Sequence, residues 1–269
     1  MANPVLNDKT FRGLGTRPAD APFATAEELD ALYNRPAAGD GARPVIDRMT
    51  VDDAITKTAS LFVILLLGAA AGWILTPSIP ALPWIGLVAG FVLGLVNAFR
   101  KEPNVGLIVA YAAAEGLFVG GVSMFFEFVY PGIVFQAVIG TLLVFGVVLA
   151  LFRSGKVRVS AKANKIFMIA MISYGLFALV NLVLVWTGTM PGFGIRSVEI
   201  AGIPLGLIIG GLAILMASYA LVQDFDFIQR GAEQGVPRKY GWTAAFGLTM
   251  TLVWLYIEIL RILAILRQD

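Results

Sequence analysis

The chain has 269 residues, of which 58% are hydrophobic and only 14% are charged, and its formal net charge is +2. An ordinary soluble domain has about half apolar and about a quarter charged residues, so this composition argues against a soluble enzyme or a nucleic-acid-binding protein. The sequence contains no histidine and no cysteine, which excludes Ser-His-Asp and Cys-His catalysis, disulfides, and zinc sites built from imidazole or thiolate. Any bound ion must therefore take oxygen ligands, as calcium and magnesium do.

Residues 1–57 form a polar N-terminal arm. The arm holds seven basic and nine acidic residues and has no apolar run of signal-peptide length. Because such a segment cannot bury enough apolar surface to offset the entropy of ordering, we expect it to be mostly disordered. A short helix is predicted at residues 24–33, where Thr25 is a suitable N-cap and Glu27 and Glu28 lie in the first turn.

Seven apolar runs follow the arm. A helix needs about 20 apolar residues to cross the ~30 Å hydrocarbon core of a bilayer, and most of the runs reach this length. The sequence therefore predicts an all-α fold, with a seven-helix transmembrane domain at residues 58–267 behind a disordered arm at residues 1–57. The predicted spans are 58–75, 82–99, 105–126, 133–152, 166–186, 201–223 and 243–266.

Basic residues are concentrated in the loops on one side of the predicted membrane. The loops between spans one and two and between spans three and four carry none, and the loop between spans five and six carries only Arg196. The positive-inside rule then places the N-terminal arm in the cytoplasm and the C-terminus outside. The basic residues of the other loops are Arg100, Lys101, Arg153, Lys156, Arg158, Lys162, Lys165, Arg230, Arg238 and Lys239.

Glycines recur at a spacing of four residues in several spans. This spacing aligns them on one helical face, where small residues let helix backbones approach closely. We interpret the stripes as contacts between helices of one chain rather than as homodimer contacts. The glycines concerned are Gly68 and Gly72; Gly86, Gly90 and Gly94; Gly116 and Gly120; and Gly202, Gly206 and Gly210.

Ionisable residues within the spans are candidate functional residues, because a charge deep in a bilayer costs at least ~2.5–3.5 kcal/mol. Glu115 lies about 15 Å into the third span with no cation nearby in sequence, so we expect it to be neutral or to face water or a polar partner. Glu258 and Arg261 share a helical face, which is compatible with a neutralising pair or with a functional role. Asp224 and Asp226 end the sixth span, and at most one of them can face the bundle interior. We interpret the aromatic residues of these spans as packing residues or interface anchors: Tyr111, Tyr174, Trp254 and Tyr256.

Three short stretches make the sequence recognisable. They are residues 114–117 (AEGL) in the third span, residues 224–228 (DFDFI) at the end of the sixth, and residues 255–261 (LYIEILR) in the seventh. In this order and in these spans, they resemble the Bax inhibitor-1 family, specifically its bacterial YccA-like branch. The resemblance covers about residues 50–267 and implies a seven-helix bundle with a central last helix.

The resemblance also implies a pH-sensitive calcium leak, in which aspartates from spans six and seven share a proton and close the pore. Asp224 matches the aspartate of span six. When Arg261 is aligned with the family's terminal arginine, Thr251 occupies the position of the second aspartate. Either Glu258 or Glu115 substitutes for the missing carboxylate, or this branch lacks the pair of carboxyl groups that share a proton and close the pore.

Our leading hypothesis is a pH-modulated calcium leak channel or transporter in a bacterial inner membrane, and not an enzyme. Glu115, Asp224 and Glu258 would supply oxygen ligands and proton sensing, Arg261 would be a counter-charge, and no cofactor other than transported calcium is expected. The alternative is a non-transporting regulator of stress response or membrane-protein quality control, which would bind other membrane proteins. An intramembrane aspartyl protease using Asp224 is disfavoured, because no Gly-x-Gly-Asp sequence occurs.

Overall fold

The computed structural model describes residues 47–190 and 192–267. Within them lie seven helices that are long and apolar enough to cross a membrane, so the predicted all-α seven-helix fold is confirmed. The predicted disorder of residues 1–46, and the predicted helix at residues 24–33, lie outside the described residues. The helices are α1 (Val51–Leu75), α2 (Leu82–Phe99), α3 (Val105–Val129), α4 (Ile133–Arg153), α5 (Ala161–Trp186), α6 (Leu205–Glu233) and α7 (Gly241–Leu266).

The first helix begins at Val51 rather than at residue 58, so residues that we assigned to the arm belong to the bundle. Thr50 caps the helix, because its side chain accepts a hydrogen bond from the Asp53 backbone N–H at 3.1 Å. The Asp53 carboxylate is then paired with Lys57 at 2.5 Å. These local polar contacts extend the helix beyond its apolar segment, which is the only part that hydropathy detects.

The sixth helix is displaced relative to its predicted span of 201–223. A short hairpin precedes it, with strands β1 (Glu199–Ile200) and β2 (Ile203–Pro204) in antiparallel register. Gly202 lies in the hairpin turn at a φ of 78°, so its assignment to a glycine stripe was wrong. At the other end the helix continues to Glu233 through polar residues that an apolar window does not include.

Glycines bring α1 and α3 into close contact, as the stripes predicted. A Cβ added at Gly68 would lie 2.7 Å from the Ala113 carbonyl oxygen, and one added at Gly116 would lie 2.9 Å from the Gly68 Cα. Real Cβ atoms essentially never come within 3.0 Å of another heavy atom. Gly86 makes a similar approach from α2 to α3, with an added Cβ 2.7 Å from the Phe118 nitrogen. These contacts within one chain match our interpretation of the stripes.

The last helix, α7, lies at the centre of the bundle, as the resemblance implies. It packs against α1, α3, α4 and α6, and its buried face runs almost its whole length. By contrast, α5 has no buried residue and touches mainly α6 and the turn that precedes β1. The α2–α3, α4–α5 and α6–α7 loops, which carry the basic residues given above, lie at the end of the bundle where α1 begins. We call this end the basic end.

Candidate functional site

Asp224 is buried where α6 packs against α7. This residue is 9% exposed, and its Oδ2 atom accepts a hydrogen bond from the Thr251 hydroxyl at 2.7 Å. None of the described residues forms a salt bridge with this carboxyl group, so a neutral hydroxyl is the partner that the fold supplies. The alignment that placed Thr251 opposite Asp224 therefore matches the observed contact.

A glycine on α7 makes room for this carboxyl group. A Cβ added at Gly247 would lie 3.2 Å from the Asp224 Oδ1 atom, closer than nine in ten real Cβ contacts. Gly247 also contributes its backbone oxygen, which accepts from the Thr251 hydroxyl at 3.1 Å. The spacing of four residues thus gives α7 a flat patch and a hydroxyl on one face, and Asp224 packs against both.

Glu115 occupies a comparable position on α3. Tyr111, one helical turn earlier, is 3% exposed, and its hydroxyl group lies near the Glu115 carboxyl group. The glutamate lies against Gly90 of α2, where an added Cβ would be 3.0 Å from its Oε1 atom. The sequence left open whether Glu115 is neutral, faces water or faces a partner; the polar group near it is the hydroxyl of Tyr111, which we had interpreted as a packing residue or interface anchor.

Glu115 and Asp224 lie at similar depths on different sides of α7. Glu115 is ten residues after the start of α3, and Thr251 is ten residues after the start of α7, so each lies about 15 Å from the basic end. On the side of α7 that faces α3, the ring centroid of Phe246 lies 4.8 Å from that of Tyr111. A buried aspartate and a partly buried glutamate therefore lie at one level of the bundle, each near a hydroxyl group.

Glu258 has a different environment, because it is surrounded by cations. Its side chain is 1% exposed, and its Oε1 atom accepts from Arg261 at 2.7 Å and from the Tyr174 hydroxyl. Its Oε2 atom lies 3.7 Å from the Arg196 guanidinium. Two arginines around one carboxylate leave a net positive charge, so the arrangement is that of a structural ion cluster and not of a cation ligand.

Sequence reasoning missed the part that Arg196 plays in this cluster. It lies in a 3-10 turn, Gly194–Ser197, whose Ile195 N–H donates to the Asn181 side chain at 2.8 Å. The turn carries the arginine inward, where it is 4% exposed and stacks over Phe177 at 5.3 Å. The available signal was that Arg196 is the one basic residue in a loop on the side that the positive-inside rule depletes of cations.

Asp226 points away from the interior, as the spacing on α6 required. It pairs with Arg230 one turn later, and both residues are partly exposed to the surroundings. Only Asp224 of the two aspartates faces the bundle, which agrees with the prediction that at most one of them can do so.

The structure does not bring the three proposed oxygen ligands together. Among residues 47–190 and 192–267, no group of three or more acidic side chains is arranged to hold a metal ion. Asp224 instead accepts a hydrogen bond from Thr251, Glu115 lies near the hydroxyl group of Tyr111, and Glu258 is neutralised by arginine. The contact observed between α6 and α7 is an Asp–Thr pair in place of two carboxylates.

Comparison with known proteins assigns the family. The model of a family described as Bax inhibitor 1 like matches residues 3–268. The chain belongs to this family. No curated protein matches it. Together with the seven apolar helices, membership of the Bax inhibitor 1 like family makes the chain a multi-pass integral membrane protein.

Proposed function

We propose that this protein is a pH-modulated cation leak channel or transporter with calcium as its cation, rather than an enzyme. The observation that carries the proposal is Asp224, a carboxyl group buried between α6 and α7 whose described partner is a hydroxyl. A buried charge without a counter-ion costs free energy. Gain or loss of a proton by Asp224 would therefore change the stability of the contact between α6 and α7. Family membership supports the same reading.

In this mechanism the neutral form of Asp224 holds α6 against α7 through Thr251. Loss of the proton leaves a charge that the apolar surroundings cannot compensate, and the free energy of the site then favours entry of water or a cation. Cation flux therefore rises as the pH rises. Because Thr251 replaces a second carboxylate, one proton rather than a shared one controls the contact.

The half of α7 that is farther from the basic end has a different role in the proposal. Arg196 and Arg261 surround Glu258, and a net positive cluster repels cations. The cluster thus limits the cation path at the end of the bundle opposite the basic end. Glu115 supplies a second carboxyl group at the level of Asp224 but not in the same contact.

The test is calcium flux into liposomes that contain the purified protein, measured between pH 6 and pH 8. Asp224→Asn removes the charge and keeps the size of the side chain, so we expect its flux to lose the pH dependence. Asp226→Asn is the matched control, because this residue lies two positions away on the opposite face and pairs with Arg230. Thr251→Asp restores a second carboxylate and should shift the pH range of the flux.

Two results would overturn the proposal. One is a flux no greater than that of protein-free liposomes at any pH. The other is equal pH dependence in Asp224→Asn, Asp226→Asn and the unmodified protein. Either result would favour the alternative of a non-transporting regulator that acts through membrane-protein partners.

We also propose that the protein lies in a bacterial inner membrane with its N-terminus in the cytoplasm. The orientation is supported by the clustering of basic residues in the three interhelical segments at the basic end, including Arg100, Arg153 and Lys239. A reporter that is active only in the cytoplasm should be active when fused to residue 1 and silent when fused to residue 269. The opposite pattern would reverse the orientation.

A further inference from the structure

An apolar groove runs along the side of the bundle between α1 and α4, which do not pack closely against each other. The volume of the groove is about 1160 Å³. Ile55 and Leu66 form one wall and Leu142 the other, while Leu252 and Tyr256 of α7 lie in the floor. Contact with a hydrocarbon chain is more favourable than contact with water for such an apolar lining.

The groove begins at the basic end and extends across the membrane. Its lining includes Val51 at the start of α1 and Trp73 near its end, which are about 33 Å apart along the helix at 1.5 Å per residue. This length is comparable to the ~30 Å hydrocarbon core. A lipid that enters at the basic end would therefore find apolar walls along the full depth of its own leaflet.

Two guanidinium groups lie at the mouth of the groove. Arg153 is one of the lining residues and is exposed. Arg158 lies over the Phe152 ring at 4.9 Å and donates to the Gln229 side chain at 3.3 Å, and Phe152 and Gln229 both line the groove. Within the described residues, neither arginine forms an ion pair.

Both acidic and basic side chains lie around the mouth. Asp52 also lines the mouth, and Glu233 accepts a hydrogen bond from Gln229 at 2.8 Å, so these two acids offset the two arginines. The segment that carries both arginines is itself basic, because residues 153–165 hold three further basic residues and no acid. These further residues are Lys156, Lys162 and Lys165.

We propose that this groove binds an anionic phospholipid. Its phosphate lies at Arg153 and Arg158, because guanidinium matches phosphate geometry with paired hydrogen bonds, and its acyl chain lies between α1 and α4. A basic cluster next to a membrane-spanning helix attracts anionic lipid. An apolar groove that ends in such a cluster matches both parts of one lipid molecule. A transmembrane helix of a protein partner would fill the groove without using the charge at its mouth.

The test uses the purified full-length protein in nanodiscs made from equal amounts of phosphatidylglycerol and phosphatidylcholine. After extraction into mild detergent, native mass spectrometry counts the lipids that remain bound. We expect the unmodified protein to retain more phosphatidylglycerol than phosphatidylcholine. Arg153→Gln and Arg158→Gln should each lower that retention about five-fold. Arg100→Gln is the matched control, because this exposed arginine also lies at the end of a helix at the basic end but does not line the groove.

A second variant tests the acyl-chain part of the site. Ala59 lines the groove and is exposed, so Ala59→Trp should fill the groove and reduce phosphatidylglycerol retention while both arginines remain. Equal retention of the two lipids, or an equal loss in Arg100→Gln and Arg153→Gln, would overturn the headgroup site. Full retention in Ala59→Trp would overturn the groove. A stoichiometric second polypeptide in place of lipid would show that the occupant is a protein helix.

Discussion

The contact between Gly120 and α1, the tightest that an added Cβ would make at any glycine in the described residues, gives the clearest prediction of stability. Gly120 of α3 faces Ala69 of α1, and a Cβ added there would lie 2.7 Å from the Ala69 Cα and closer still to its carbonyl oxygen. Both neighbours are backbone atoms, so the strain cannot be relieved by turning a side chain. In Gly120→Ala the two helices must therefore move apart, and overpacking of this kind typically costs about 1–3 kcal/mol.

Alanine also has a higher helix propensity than glycine, by about 1 kcal/mol, and this gain has to be separated from the packing cost. Gly146→Ala is the matched control, because Gly146 is also in the middle of a helix and an added Cβ there meets nothing within 4 Å. The propensity gain is the same in both variants, so the difference between them measures packing. We expect Gly120→Ala to be less stable than Gly146→Ala by about 1–3 kcal/mol.

The assay is thermal unfolding of both variants and the unmodified protein in one detergent. For a chain of this size, 1 kcal/mol corresponds to about 2–4 °C in Tm, so the two variants should differ by several degrees. Equal unfolding temperatures for Gly120→Ala and Gly146→Ala would refute the reasoning, because they would mean that the backbones of α1 and α3 are not in direct contact.

Three other contacts lead to further predictions of stability, each measured by the same thermal unfolding. Glu258→Gln leaves the buried Arg196 and the partly buried Arg261 without their carboxylate and should cost about 3–5 kcal/mol; an unchanged Tm would mean that the cluster does not stabilise the fold. Thr251→Val removes the hydrogen bond to the buried Asp224 and should cost about 1–3 kcal/mol, whereas Thr251→Ser should restore most of it, and equal effects of the two would contradict this account. Asn164→Leu removes the acceptor of the Tyr219 hydroxyl, which lies at 2.6 Å, and should weaken the attachment of α5 by about 0.6–1.7 kcal/mol; no loss would show that this helix is held by apolar contacts.

Apolar runs in the sequence predict the number of helices, because each helix in a bilayer must satisfy its own backbone and present an apolar surface. The predicted span 82–99 coincides with α2. Helix ends are predicted less well where polar residues extend a helix beyond the hydrocarbon. Thr50 and Asp53 do so at the start of α1, and Asp226 with Arg230 does so near the end of α6. An apolar window cannot detect such extensions.

Partners of the candidate residues are predicted only where they lie on the same helix or follow from an alignment. The pairing of Glu258 with Arg261 follows from a spacing of three residues. Arg196 could not be found in this way, because it reaches Glu258 through a turn that is distant in sequence and is held by Asn181. Thr251 was placed opposite Asp224 only through the family resemblance.

Thr251 and Glu258 are seven residues apart, so they lie on nearly the same face of α7 and about 10 Å apart along it. At the level of Thr251, which is nearer the basic end and is called the inner level here, the Thr251 hydroxyl donates one hydrogen bond to Asp224 of α6. The level of Glu258 is called the outer level. At the outer level Glu258 pairs with Arg261 of the same helix and with Arg196 of the turn that precedes β1, and breaking a buried ion pair costs more than breaking one hydrogen bond. Under the proposed function, separating α6 from α7 at the inner level would break one hydrogen bond between side chains, whereas moving the turn away from α7 at the outer level would break the Arg196–Glu258 ion pair. Under the proposed function, a single proton on Asp224 would act at the inner level, so we expect a change of pH to separate α6 from α7 there before it affects the cluster around Glu258.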